Sequence, residues 1–318
     1  MGRLEYRRGL HQLGRDTWAY LSPPGTWGWS NCGLVVDGGE ALLVDTQFDL
    51  PLTRDLLAAI TAAQPDVEIC TVVSTHANGD HCWGNQLLEG VEIIGSAACG
   101  HGMGEEVQPA QLAALSGPAA PDTPLGDYMR RHFGGFDFTG VRVTPPTRTF
   151  SGRLDVAVGD RRIELIEVGP AHTDGDVIVH VPDAGVVYAG DILFIGGHPI
   201  MWTGPVQNWI AACDQITGTG AEYIVPGHGP VTDPSGVAGF RGYLEWVGER
   251  AEKAYSDGLP YWEAGDPSAV PAAYAGWDHP ERLVITMAAA YRQLGEEPRD
   301  LMEVLAYTAR AEATLRAG

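Results

Sequence analysis

The chain has 318 residues, 44% of them hydrophobic, which is enough for a sizeable core in one large domain with an extension or in two small ones. Its 20 Lys and Arg against 41 Asp and Glu leave a net charge of −21, a surface that repels phosphate backbones and argues against nucleic acid as a partner. Five cysteines, odd in number and without a CxxC spacing, argue against a disulfide framework. No apolar run is long enough for a bilayer and MGRLEYRRGLHQLGRDTW holds no apolar leader, so a cytoplasmic protein without a membrane partner is expected.

Leu34–Val36 and Ala41–Asp45 flank Asp37-Gly38-Gly39 and predict two strands joined by a tight turn. Leu50–Ala63 has helical spacing, with Pro65 just beyond. The β-branched run Ile69–Ser74 predicts a buried strand that leads into Thr75-His76-Ala77-Asn78-Gly79-Asp80-His81. Asn85–Glu89 is read as a helix and Val91–Gly95 as a strand. From about 96 to 138 the pattern breaks around Gly117-Pro118, Pro121 and Pro124. This stretch predicts an insertion over one edge of the core, of the kind that forms lids and substrate walls. Strands are predicted again at Thr149–Val158, Arg162–Val168, Val177–Val181, Val186–Ala189 and Tyr223–Val225, with a helix at Pro205–Thr217. Beyond Gly236 the pattern is helical almost to the end, with Phe240, Tyr243, Leu244 and Val247 on one face and further helices at Arg282–Leu294 and Arg299–Ala313. The expected division is a catalytic domain over 1–235 and a helical extension packed on it over 236–318.

Polar residues cluster where predicted strands end. They lie in His76-Ala77-Asn78-Gly79-Asp80-His81, in Gly169-Pro170-Ala171-His172-Thr173, in Ala189-Gly190-Asp191 and in Pro226-Gly227-His228-Gly229. Singly, such a histidine is an ordinary surface residue and such an aspartate holds a turn. Together, in one order, they point to a metal centre, because strand ends present side chains to a shared cleft. Imidazole and carboxylate suit zinc, with iron or manganese as alternatives.

In these motifs the sequence resembles the metallo-β-lactamase superfamily over residues of about 10 to 235. The resemblance implies a four-layer αβ/βα sandwich of α/β class, with one or two metals in a cleft at one edge. It assigns His76 and His172 to a first metal, Asp80, His81 and His228 to a second, and Asp191 to a bridge between them. Asp45 matches an acidic position that supports the ligand loops. One departure stands inside the motif: the family has His-x-His-x-Asp-His, and here the second His is Asn78. Either Asn78 still coordinates or contacts a metal water, or the first site is weak; two sites of unequal affinity are expected. Leu165–Thr173, Gly227–Val231, Tyr243–Val247 and Pro280-Glu281-Arg282-Leu283-Val284 resemble, more narrowly, the cyclase/thioesterase branch of bacterial aromatic polyketide pathways.

The function this implies is hydrolysis of a thioester, lactone or ester by a metal-bound hydroxide, with Asp80 and Asp191 as catalytic carboxylates. The substrate would be a small acyl or polyketide-like molecule, free or carrier-protein-bound. A cyclase performing an aldol-type ring closure is the alternative, and a non-catalytic binding protein with a degenerate site is a third reading. Trp27, Trp29 and Trp202 are candidates for the substrate pocket. His101 and His198 are read as satisfied surface histidines, Cys82 as a small buried thiol and Tyr188 as packing.

Overall fold

A computed structural model describes residues 4–317. Seven strands form one sheet in chain order: β1 (Gly9–Gly14), β2 (Thr17–Leu21), β3 (Cys32–Asp37), β4 (Glu40–Val44), β5 (Glu68–Val73), β6 (Glu92–Ser96) and β7 (Arg148–Phe150). The second sheet holds β8 (Arg153–Val158), β9 (Arg161–Glu167), β10 (Val177–Val181), β11 (Val186–Phe194) and β12 (Tyr223–His228), in spatial order β12-β11-β10-β9-β8. The helices are α1 (Leu50–Ala63), the single turn α2 (Gly79–Cys82), α3 (Ala97–Glu105), α4 (Pro109–Ser116), α5 (Pro124–Phe133), α6 (Val206–Gly218), α7 (Pro234–Ser256), the short α8 (Tyr261–Ala264), α9 (Leu283–Gln293) and α10 (Leu301–Ala317). Among the described residues no helix is long and apolar enough to cross a membrane.

Strand alternation builds the layers. Val35, Leu42, Val44 and Val73 face Val177, Val179, Val186 and Tyr188 of the other sheet in one shared core. Their neighbours Leu34, Leu43 and Val72 point the other way, onto Leu56 and Ile60 of α1. On the second sheet Ile178, Val187 and Ala189 point outward onto Trp209 and Ile216 of α6 and Phe240 and Leu244 of α7. The result is helix, sheet, sheet, helix: the four-layer sandwich expected, with α9 and α10 as a helical C-terminal extension. The stretch between β6 and β7 carries α3, α4 and α5 and has its own cluster, in which Leu112, Met129 and Phe133 meet Phe48 and Trp83 of the sandwich and Ala309 of α10.

Five features differ from what the sequence predicts. The strands β1 and β2 were unread, because His11 and Gln12 interrupt the apolar pattern. The helix expected at Asn85–Glu89 is a 3₁₀ segment at Trp83–Leu88. The run Thr149–Val158 is two strands in different sheets, parted at Gly152, whose φ of +73° turns the chain. Strand β11 does not stop at Ala189: Ile192, Leu193 and Phe194 are buried and carry it on, so Asp191 lies within the strand. The helical pattern after Gly236 is also broken, with only short turns between α7 and α9.

Candidate metal centre and its cavity

The parallel strand β5 ends at Val73 and hands the chain to the loop bearing His76 and Asn78, and then to α2, which carries Asp80 and His81. His172 lies between β9 and β10, and His228 is the last residue of β12. Asp191 sits where β11 slips register against β12 at Gly190. Gly190 has φ +51°, which favours glycine, and a Cβ on Gly227 would lie 1.9 Å from Asp191 Oδ1. Both glycines therefore admit the carboxylate to the centre.

Asp191 is the hub of the arrangement. Its Oδ2 lies 3.4 Å from His172 Nε2, 3.4 Å from His228 Nε2 and 3.8 Å from His76 Nε2, and its Oδ1 lies 3.1 Å from His81 Nε2. Asp80 Oδ2 stands 3.4 Å from His228 Nε2 and 3.7 Å from His81 Nε2. Two groups with metal-ligand spacing result: His76, His172 and Asp191, and Asp80, His81 and His228.

Each imidazole is held by its other nitrogen. His81 Nδ1–H donates to Asp45 Oδ2 at 2.9 Å, His172 Nδ1–H to the Ile200 carbonyl at 2.6 Å and His228 Nδ1–H to the Trp29 carbonyl at 3.2 Å. His76 Nδ1–H donates to Thr75 Oγ1 at 3.0 Å, and that hydroxyl donates to Asp45 Oδ2 at 2.8 Å. Asp45 also accepts the Thr75 N–H at 2.7 Å. It does so at φ +62°, backbone strain that is uncommon outside glycine and is found at functional sites. With every Nδ1 proton so engaged, the four Nε2 atoms face the centre; burial would lower His81 and His228, but Asp191 and Asp80 outweigh it and push both up, and a metal would displace their Nε2 protons.

These residues fit divalent ions. His76 Nε2, His81 Nε2 and Asp191 Oδ1 are buried without a hydrogen-bond partner, an arrangement that costs stability unless something else satisfies them. Burial pushes the His76 and His172 imidazoles down, toward the neutral ligating form. Burial would raise Asp191, but the imidazoles of His228 and His81 outweigh it and hold the carboxyl well below the usual range. Asn78 Oδ1 lies 2.8 Å from His172 Nε2 and accepts the Trp202 indole N–H at 3.2 Å. Two acceptors thus face each other in the first group, as they would around a shared cation.

Several supporting residues carried no sequence signal. Asp176 accepts the Thr173 N–H at 2.9 Å and the Thr173 hydroxyl at 2.7 Å, clamping the turn beside His172; burial pushes its carboxyl up to about 7. Asn31 Nδ2 donates to the carbonyls of Pro226 and Gly229, on either side of His228. The remaining histidines and Cys82 sit apart from the centre. His101 is exposed beside Glu105 as expected, whereas His198, expected at the surface and satisfied, is buried with Nδ1 against the Tyr243 hydroxyl and Nε2 without a partner, and Cys82 is buried with its thiol pushed up by that burial. Tyr188 is buried with its hydroxyl on the Trp18 and Leu34 carbonyls.

A cavity of about 200 Å³ opens on the cluster, with Asn78, Asp80, His172, Asp191 and His228 in its wall. It is on the order of ten times the space one ordered water needs, so it is sized for a ligand. Leu112, Met129 and Phe133 of the insertion and Leu301 and Leu305 of α10 line the rest, with Trp27 and Trp202. Trp29 is not in the wall; its ring packs on Phe136.

The family model described as the metallo-beta-lactamase superfamily matches residues 25–228, which carry all six candidate ligands. The chain belongs to the metallo-beta-lactamase superfamily. Divalent-metal binding goes with that fold. Acyl-coenzyme A thioesterase MBLAC2 of Gallus gallus is 25% identical over 209 residues, 63% of this chain and 72% of that protein. Among solved structures, a metallo-beta-lactamase from Pontibacter korlensis matches with TM-score 0.57 at 18% identity, covering 75% of this chain and 99% of that one. The stereoselective inverting sec-alkylsulfatase Pisa1 from Pseudomonas sp. matches with TM-score 0.70 at 16% identity. That match covers 92% of this chain, which spans about half (51%) of the sulfatase.

Within this superfamily Asn78 is the unusual position, since an amide oxygen is a weaker zinc ligand than imidazole. Calorimetric titration of the chelated protein with zinc is expected to show two unequal steps. Asn78→His is expected to tighten the weaker one by about tenfold or more. Two equal, tight steps in the unmodified protein would contradict the assignment of Asn78 as the weak position.

Proposed function

We propose that this superfamily hydrolase cleaves an ester-like bond of an apolar acyl substrate, a thioester before a lactone or simple ester. In this reading His76, His172 and Asp191, with Asn78 as a weak fourth group, hold one divalent ion, and Asp80, His81 and His228 hold a second, with Asp191 shared. Zinc is the ion favoured by these donors, ahead of iron or manganese. Such ions supply Lewis acidity toward a carbonyl oxygen and acidify water at neutral pH.

The observation that carries the proposal is the wall of the cavity: mostly aliphatic and aromatic, with Glu106 and Arg282 among those side chains, and ending on the carboxylates and imidazoles. An acyl chain gains from burial in such a wall and can bring its carbonyl to the end that holds the candidate ligands. Asp80, in the wall and beside His228, is placed to orient the attacking water. An acyl chain filling the cavity would displace water from it, which would strengthen the electrostatics inside. The thioesterase relative supports the choice of thioester, with a coenzyme A or carrier-protein arm on the small molecule.

Mass spectrometry of the metal-loaded protein incubated with acyl thioesters, lactones, a sec-alkyl sulfate and a linear poly-β-keto thioester tests the reading. Thioester hydrolysis is expected, with water added across the bond and a preference for apolar acyl groups. Turnover of the poly-β-keto compound by loss of water, without hydrolysis of any thioester, would replace this reading with the cyclase. No turnover of anything by fully loaded protein would favour a binding protein.

A further inference from the structure

The Pro280-Glu281-Arg282 turn before α9 puts a guanidinium into the cavity wall. Arg282 is 1% exposed, yet among the described residues no carboxylate lies within ion-pair distance of it. Its Nε has no hydrogen-bond partner, and its one hydrogen bond, to the His198 carbonyl, is long at 3.4 Å. The neighbouring Glu281 is turned to His279 Nδ1, 3.4 Å away. The Arg282 guanidinium instead lies over the Trp27 ring, 5.0 Å from its centroid, and the Trp27 indole N–H is fixed by the Tyr128 hydroxyl at 2.9 Å.

A buried charge without a partner is costly, and charges in protein interiors are normally paired or hydrogen-bonded. An arginine fork with free donors, in the wall of a mostly apolar cavity whose other polar groups are Glu106, Asn78 and the candidate ligands, matches one kind of ligand. That ligand has an apolar body and an oxyanion that can accept two parallel N–H bonds. We propose that Arg282 binds an anionic group of the substrate, a carboxylate or comparable oxyanion, separate from the bond that is cleaved. The separation follows from the contacts between the two places. Asn78 meets Trp202, the Trp202 ring lies 6.2 Å from the Trp27 ring, and Trp27 meets Arg282. Within the one cavity wall the guanidinium is thus joined to Asn78 through two aromatic side chains, and among the described residues it makes no hydrogen bond or ion pair with a candidate ligand. The word substrate rests on the hydrolytic reading; the anion site itself does not.

The test is calorimetric binding of octanoate and of its neutral isostere octanamide to the full chain, with metal content matched between variants. The unmodified protein is expected to bind octanoate at least about tenfold more tightly, the range for hydrogen bonds to a charged group. Arg282→Met is expected to bring the two ligands within about twofold, with octanamide binding retained. Arg282→Lys keeps the charge but loses the fork, and is expected to weaken octanoate several-fold without abolishing the preference; it decides the matter if the Met variant does not fold. An octanoate preference that survives in Arg282→Met at equal metal content would place the carboxylate on the ligand cluster and overturn the proposal, as would equal binding of both ligands by the unmodified protein. An Arg282-dependent preference in a protein that cleaves no thioester would defeat the hydrolytic reading alone.

Discussion

Asp191→Ala is expected to lose metal from both groups and at least about a thousandfold in turnover, the scale of several kcal/mol of charge stabilisation. The reason is the hub geometry. Its two oxygens lie within 3.8 Å of the Nε2 atoms of His76, His81, His172 and His228, so one substitution removes the negative charge all four imidazoles share. Elemental analysis of the purified variant checks the first half and a thioester assay the second. A variant that kept full metal and full activity would mean that the ligands have been misassigned.

Asp45→Asn is expected to weaken zinc binding about 10- to 100-fold, the range for residues that orient ligands without touching the metal. The Asp45 carboxylate accepts three hydrogen bonds, from the Thr75 N–H, the Thr75 hydroxyl and His81 Nδ1–H. An amide offers one acceptor oxygen and turns a donor toward the rest, so His81 loses its tautomer lock and His76 loses the anchored hydroxyl behind it. Competition for zinc against a chromophoric chelator measures the change. Affinity equal to that of the unmodified protein would show that Asp45 serves the fold and not the ligands.

The layers could be read from the sequence where one physical signal dominated. Leu50–Ala63 has the bounds its periodicity and Pro65 predict, because Leu56 and Ile60 recur on the face that meets the sheet. Val177–Val181 is likewise as predicted, a β-branched run broken only by His180 and buried along its length. The signal failed where tertiary contact overrode local chemistry. Gly190-Asp191 reads as a turn, yet β11 continues through it because Ile192 to Phe194 are buried beyond. At the centre, the four motif segments are visible in the sequence and the structure gathers them into two groups. Of the residues behind them, Asp45 is legible through the resemblance and the others are not. Backbone carbonyls of Trp29 and Ile200 fix two imidazoles, and a carbonyl has no sequence signature. Arg282 lay in a recognised stretch, but nothing in Pro280-Glu281-Arg282 says that the guanidinium is buried and unpaired in the cavity wall.

The hydrolytic reading stands or falls on whether cleavage needs the ions these residues would hold. The direct measurement is the rate of acyl-thioester hydrolysis by chelated protein as zinc is added back in measured equivalents. The chelated protein is expected to be inactive, with activity returning on addition and reaching a plateau by about two equivalents, the number that the two ligand groups would take. Hydrolysis by the chelated protein as fast as by the loaded one would contradict the account.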